Sequence, residues 1–190
     1  MGVDVADINN DQNLDTLQLN NGNETFSNIA QFTGMAATDW SWSNLIADFD
    51  NDGLKDTYVT NGLLRDIRNT DADKNVTQYI NTTRANWLQA NPRAQNIESI
   101  WDVVNLEKAV SMVPSQPLKN YAYKNKGDLE FENSSNEWGL DEESFSNGSA
   151  YADLDNDGDL DLVVNNINNE AFVYRNNSET HLDKNFLRIK

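Results

Sequence analysis

Two nine-residue stretches carry the residues most suited to chemistry. They are Asp48-Phe-Asp50-Asn-Asp52-Gly53-Leu-Lys-Asp56 and Asp153-Leu-Asp155-Asn-Asp157-Gly158-Asp-Leu-Asp161. Each offers side-chain oxygens at positions 1, 3, 5 and 9, a backbone carbonyl at position 7 (Leu54 or Asp159), and a glycine at position 6. Ca²⁺ is a hard cation that takes six to eight oxygens, and a glycine lets such a loop reverse sharply. The spacing therefore predicts two good calcium loops. A third copy opens the chain, with Asp7, Asn9, Asp11, Asn13 and Asp15 at the corresponding positions. It has Gln12 where the glycine belongs, and a non-glycine residue at positive φ costs roughly 1 kcal/mol. This site is expected to be the weakest of the three.

Composition excludes several classes of function. The 190 residues carry 31 acidic and 14 basic side chains, a formal net charge of −17. Nucleic acid is an improbable partner, because phosphate binding needs a basic face. Unmetallated, the carboxylates crowded into each loop would repel one another. Cysteine is absent and histidine occurs once, which disfavours soft-metal sites. No apolar run approaches the ~20 residues of a membrane span. Met1-Gly-Val-Asp-Val-Ala-Asp lacks the basic start and apolar stretch of a secretion signal.

The loops belong to a longer repeat. Sliding the chain by 105 residues aligns residues 20–61 with 125–166 without a gap, matching Asn20/Asn125, Gly22/Gly127, Phe26/Phe131, Gly34/Gly139, Ala47/Ala152 and Asn61/Asn166 besides the loop. The unit reads as strand, Asn-x-Gly turn, strand, glycine, strand, calcium loop, strand. Leu45-Ile46-Ala47 and Ala150-Tyr151-Ala152 precede the loops. Thr57-Tyr58-Val59-Thr60 and Leu162-Val163-Val164 follow them. Tyr121-Ala-Tyr123 and Ala171-Phe-Val-Tyr174 read as further strands, and the Asn-x-Gly triplets as hairpin turns. Thirty asparagines suit a fold with many tight turns. An EF-hand is excluded: position 12 is Val59 or Val164 rather than a glutamate, and it lies in a strand pattern. The expected fold is all-β, with about three propeller-type blades.

Two irregularities interrupt the repeat. Residues 62–118 are an insertion that reads as helical, with Val76, Tyr79, Ile80, Thr83, Trp87 and Leu88 on one face and Thr70 or Asp71 as the cap. Ile97, Ile100, Trp101, Val104 and Lys108 form a second stripe beyond Pro92. Residues 62–122 carry a net charge of +1 in an otherwise acidic chain, which marks the insertion as a candidate partner surface. The plainer expectation is that Trp87 and Trp101 pack the helices onto the sheet. The first repeat is short, so that Leu17-Gln-Leu19 must serve as two strands. The expected organisation is residues 1–61 as the first two units, 62–118 as the insertion, and 119–190 as the third unit with the start of a following strand.

These motifs resemble the FG-GAP/VCBS repeats of integrin-α-like β-propellers. The closer likeness is to bacterial VCBS-type proteins with a C-terminal ASPIC/UnbV domain. It rests on Leu17-Gln-Leu-Asn-Asn-Gly, Thr38-Asp-Trp-Ser-Trp-Ser, Ser144-Phe-Ser-Asn-Gly-Ser-Ala-Tyr-Ala-Asp and the closing Asn185-Phe-Leu-Arg-Ile-Lys190. The literal Phe-Gly and Gly-Ala-Pro signatures are absent. The resemblance implies calcium in loops that join a blade's first two strands, a secreted or cell-envelope setting, and binding of a protein or glycan. It transfers no catalytic residue, and an enzyme is not expected. The alternative is a fragment of a propeller-fold enzyme acting on polysaccharide, but His181 sits alone in a polar run. About three units fall short of a propeller of some seven blades, so a fragment, an open array or closure through other chains is expected.

Overall fold

The computed structural model describes residues 18–93, 97 and 99–181. Two compact units are present: residues Met1–Gly62 with Pro117–Lys190, and the inserted Leu63–Gln116. The first unit consists of small antiparallel sheets. β1 (Gln18–Asn20) and β2 (Phe26–Asn28) form a hairpin. β3 (Asn44–Ala47), β4 (Asp56–Val59), β6 (Tyr121–Asn125) and β7 (Phe131–Asn133) form a four-stranded sheet in that order. β9 (Ser146–Ala152), β10 (Asp161–Asn166) and β11 (Phe172–Tyr174) form a three-stranded sheet with β10 in the middle. β5 (Leu118–Lys119) and β8 (Glu143–Ser144) pair separately. No closed ring of sheets is present among the described residues.

The sheets do not coincide with the sequence repeat. The repeat runs from hairpin to loop, whereas the four-stranded sheet runs from loop to hairpin. In the four-stranded sheet the loop joins β3 to β4, and the Asn-x-Gly hairpin β6–β7 of the next repeat completes the sheet, with Val59 opposite Tyr121. Every repeat therefore straddles two sheets. The backbone reproduces the 105-residue period in its left-handed residues: Gly22 and Gly127, Glu24 and Leu129, Gly34 and Gly139, Asn51 and Asn156, Gly53 and Gly158.

Two apolar layers lie within this unit. Tyr58, Ala122, Leu162 and Val164 form one, with Leu45, Phe49, Trp138, Leu140, Phe172 and Tyr174 against it. Ile29 and Ile46 form the other, with Leu19, Leu129 and Phe131. Neighbouring strand residues leave opposite faces, so Ile46 in β3 serves the second layer and Tyr58 in β4 the first. At the end of β4 and β10 away from the loops lies a buried polar network. The Asn61 N–H donates to Asn120 Oδ1 at 2.8 Å, Asn120 Nδ2 to Ser146 Oγ at 3.0 Å, and the Ser146 hydroxyl to Asn166 Oδ1 at 2.7 Å. Gly62 follows at φ +119°, and a Cβ there would lie 2.2 Å from the Ser144 carbonyl oxygen.

The inserted unit opens and closes on a β-bridge between Leu63 and Gln116, whose N–H and C=O groups exchange bonds of 2.9 and 2.8 Å. Helix α1 spans Thr70–Ala90. Its half-buried face is Val76, Tyr79, Ile80, Thr83 and Trp87, extended by the buried Ala72, while Leu88 is exposed. Neither Thr70 nor Asp71 is the cap. Asn69 is, because its backbone is extended and its side chain accepts the Asp71 and Ala72 N–H groups. The second stripe is not one helix. A 3₁₀ turn at Ile100–Asp102, capped by Ser99, is followed by the short α2 (Leu106–Ser111), capped by Asn105. Two capping side chains within seven residues restart the chain twice where the apolar spacing suggested continuity. Val104 is buried between them and Trp101 is about half exposed. The Lys108 ammonium lies 4.8 Å over the Tyr79 ring, linking α2 to α1. Among the described residues no helix is long and apolar enough to cross a membrane.

Candidate metal centres

Both described loops connect the first strand of a sheet to its second, and both use position 9 as an anchor. Asp56 is fully buried and Asp161 nearly so. Asp56 Oδ2 accepts the Phe49 N–H at 3.0 Å and Oδ1 the Asn125 N–H at 2.9 Å. Asp161 repeats this with Leu154 and Asn176, both at 2.9 Å. The Asn125 side chain donates to the Lys55 carbonyl and that of Asn176 to the Leu160 carbonyl, at 3.0 and 3.2 Å. A position-9 carboxylate thus closes its own loop with one oxygen and holds the sheet's third strand with the other. Burial pushes the Asp56 carboxyl up to about 7, against the Asn125 and Phe49 donors that pull it down, and Asp50 and Asp52 add repulsion.

The remaining carboxylates converge unequally. One oxygen from each of Asp48, Asp50 and Asp56 lies within 4.8 Å of the others, and so does one from each of Asp153, Asp155 and Asp157. Asp48 also accepts the Asp52 and Gly53 N–H groups at 3.0 and 2.9 Å, and Asp52 Oδ1 that of Leu54 at 2.9 Å. The side chain of Asp159, at position 7, turns to the Ser178 hydroxyl at 3.1 Å. Leu54 and Asp159 were expected to contribute through their carbonyls. The position-9 carboxylate lies in the first cluster and outside the second, where position 5 replaces it. Positions 4 and 6, Asn51 and Gly53 or Asn156 and Gly158, have positive φ in both loops. The two loops also meet, Asn51 Nδ2 donating to the Gly158 carbonyl at 3.4 Å. Asp7, Asn9, Asp11, Asn13 and Asp15 lie outside the described residues, as do residues 185–190.

Each loop holds a basic side chain that its own sequence does not announce. Lys124 Nζ donates to Asp50 Oδ2 and stands 3.6 Å from Asp52 Oδ2. Arg175 Nε lies 2.8 Å from Asp155 Oδ2, and its Nη2 lies 3.0 Å from Asp157 Oδ2. These are the same two loop positions, 3 and 5, in both cases. Burial is the largest influence on the Lys124 ammonium and lowers it, but the Asp50 hydrogen bond and the charges of Asp50, Asp52 and Asp56 together hold it above its ordinary range. Burial raises the Asp155 carboxyl, and its hydrogen bond to Asp157 adds to this. Burial is the largest influence on Asp157 and opposes its ionisation too, but the hydrogen bonds from Arg175 and from the Asp159 N–H, with those to the neighbouring aspartates, together hold it below the usual carboxylate range. The signal for these residues lies far from the loops. Each immediately precedes the asparagine bound by position 9, in Lys124-Asn125 and Arg175-Asn176.

The donor set suits a hard cation. It is all oxygen, a carboxylate in each loop is buried, and a side-chain cation already sits on positions 3 and 5 of both. A model of the FG-GAP-like repeat family matches residues 110–164, from the end of α2 into β10, and includes the second loop. No curated protein and no solved structure matches the chain.

Proposed function

We propose that the chain is a calcium-binding β-repeat module of a secreted or cell-surface protein, in which the ions are structural and the module serves protein or glycan binding. One observation carries the reading. Two loops 105 residues apart each gather three carboxylates within 4.8 Å at the junction of a sheet's first two strands. Asp48, Asp50, Asp52 and Asp56 with the Leu54 carbonyl would hold one ion. Asp153, Asp155, Asp157 and Asp161 with the Asp159 carbonyl would hold a second. The 7–15 loop would hold a weaker third. Bound calcium supplies positive charge where carboxylates crowd, and so draws each loop's two ends together. Extracellular modules bind calcium at ~10⁻⁴–10⁻³ M, so such sites stay mostly filled at millimolar calcium. That favours a structural ion over a sensing one.

The FG-GAP-like match supports a β-propeller-like module, in a family that is mainly structural or adhesive rather than enzymatic. The partner surface would be the inserted unit, where Ile67, Trp101, Leu106 and Val110 are all exposed. The test is calorimetric titration with calcium of the whole chain, of Asp50→Ala and of Asp155→Ala. The reading requires that each variant lose about one ion from the stoichiometry. Binding that is absent, or unchanged in both variants, would refute it.

A further inference from the structure

We propose that Lys124 and Arg175 are tethered cations that neutralise the two loops in the metal-free protein and set calcium affinity by competing with the ion. The inference rests on the calcium reading and adds to it two residues that lie outside both loops. The geometry is duplicated. Lys124 ends the run before Asn125 in β6, and Arg175 follows β11 directly before Asn176. Because Asp56 and Asp161 fix the N–H of the next residue, the preceding side chain is delivered to positions 3 and 5 of the same loop. Both basic groups therefore reach their carboxylates by one construction, used twice, which an incidental surface pairing does not explain. At the matching place in the first repeat, before Asn20, stands Leu19, which carries no charge.

The carboxylates that Lys124 and Arg175 hold are ones calcium needs. Asp50 and Asp155 belong to the two three-carboxylate clusters, and so does Asp157. A dication entering the loop must displace the basic group or sit beside its positive charge, and either lowers affinity. A side chain held next to its target also competes at a high effective concentration. In return, each cation relieves repulsion between carboxylates when no metal is bound. The two loops differ in degree: the Lys124 side chain is 24% exposed with Asp50 at 8%, whereas Arg175 is 59% exposed with Asp155 at 38%. Solvent screens the second pair more, so the first loop is the more strongly controlled.

The test compares calcium affinity, by calorimetry, and metal-free melting temperature for wild type, Lys124→Gln, Arg175→Gln and Lys126→Gln. Lys126 pairs with Glu132 instead, at 2.7 Å, and controls for net charge. Lys124→Gln should tighten one site about tenfold and Arg175→Gln a second by less, each with a lower melting temperature in chelator and Lys126→Gln near wild type in both. Arg175→Gln keeps the test open should Lys124→Gln fail to fold. Unchanged or weaker affinity in both variants, with wild type binding normally, overturns the proposal and leaves the calcium reading standing. Equal tightening by Lys126→Gln also overturns it, since net charge alone would then explain the effect. Binding absent from wild type and from every variant overturns the calcium reading itself.

Discussion

The backbone N–H of Asn125 donates to Asp56 Oδ1 at 2.9 Å across 69 residues of chain, and that of Asn176 donates to Asp161 Oδ1 at the same distance across 15. The inserted unit accounts for the difference in span. A loop carboxylate that would otherwise be read only as a metal ligand is therefore also the fastener between the second and third strands of its sheet. Asp56→Ala leaves the buried N–H of Asn125 and that of Phe49 without this acceptor. A carboxyl raised to about 7 is only partly ionised near neutral pH, so its two bonds fall at or below the low end of the about 1.5–3 kcal/mol each that a charged acceptor gives, and a loss of about 2–3 kcal/mol is expected. Denaturant unfolding in chelator isolates the fastening from any effect of metal, and a change below about 1 kcal/mol would contradict it.

Gly62 gives a second prediction. Its φ of +119° disfavours any side chain, and a Cβ would meet the Ser144 carbonyl oxygen at 2.2 Å. Backbone on both sides leaves little room to yield. Gly62→Ala should destabilise by about 2–4 kcal/mol, read as a lower denaturation midpoint with an unchanged slope.

The buried network beyond β4 and β10 predicts a cost for a substitution remote from both loops. Asn120 accepts from the Asn61 N–H and donates to Ser146. Asn120→Ala strands the buried Asn61 N–H, while Ser146 keeps Ser144 and Asn166 as partners, and should lower stability by about 1–3 kcal/mol, with calcium affinity within about twofold of wild type. Unfolding curves with a parallel calcium titration check both statements.

The inserted unit should be dispensable for metal binding. Its ends meet at the Leu63–Gln116 bridge, and Val59 already faces Tyr121 across β4 and β6. Replacing Leu63–Gln116 by a short hairpin turn should leave two calcium ions bound, counted by calorimetry. Loss of both ions would show that the insertion helps to build the sites.

The loops, the strands beside them and the hairpins were legible because each has a local cause: alternating carboxylates, β-branched runs, and Asn-x-Gly turns whose glycines do sit at positive φ. The sheet boundaries were not. Self-similarity reveals the repeat length but not where a sheet begins, and here hydrogen bonding across the insertion joins β4 to β6. The stripe on α1 was readable from its period, whereas its cap fell one residue earlier, on Asn69, since asparagine and threonine compete for that role at neighbouring positions. Lys124 and Arg175 lie 68 and 14 residues beyond their loops' last aspartate. Only the pairing of strands brings them back, so no window around either loop contains them.

Thermal unfolding of the full chain in millimolar calcium and in chelator tests the central claim most directly. Two structural ions present at about ten times their dissociation constants should together contribute about 2–3 kcal/mol, a rise of several degrees in melting temperature. Asp50→Ala and Asp155→Ala should each forfeit part of that rise. Identical melts with and without calcium would contradict the account.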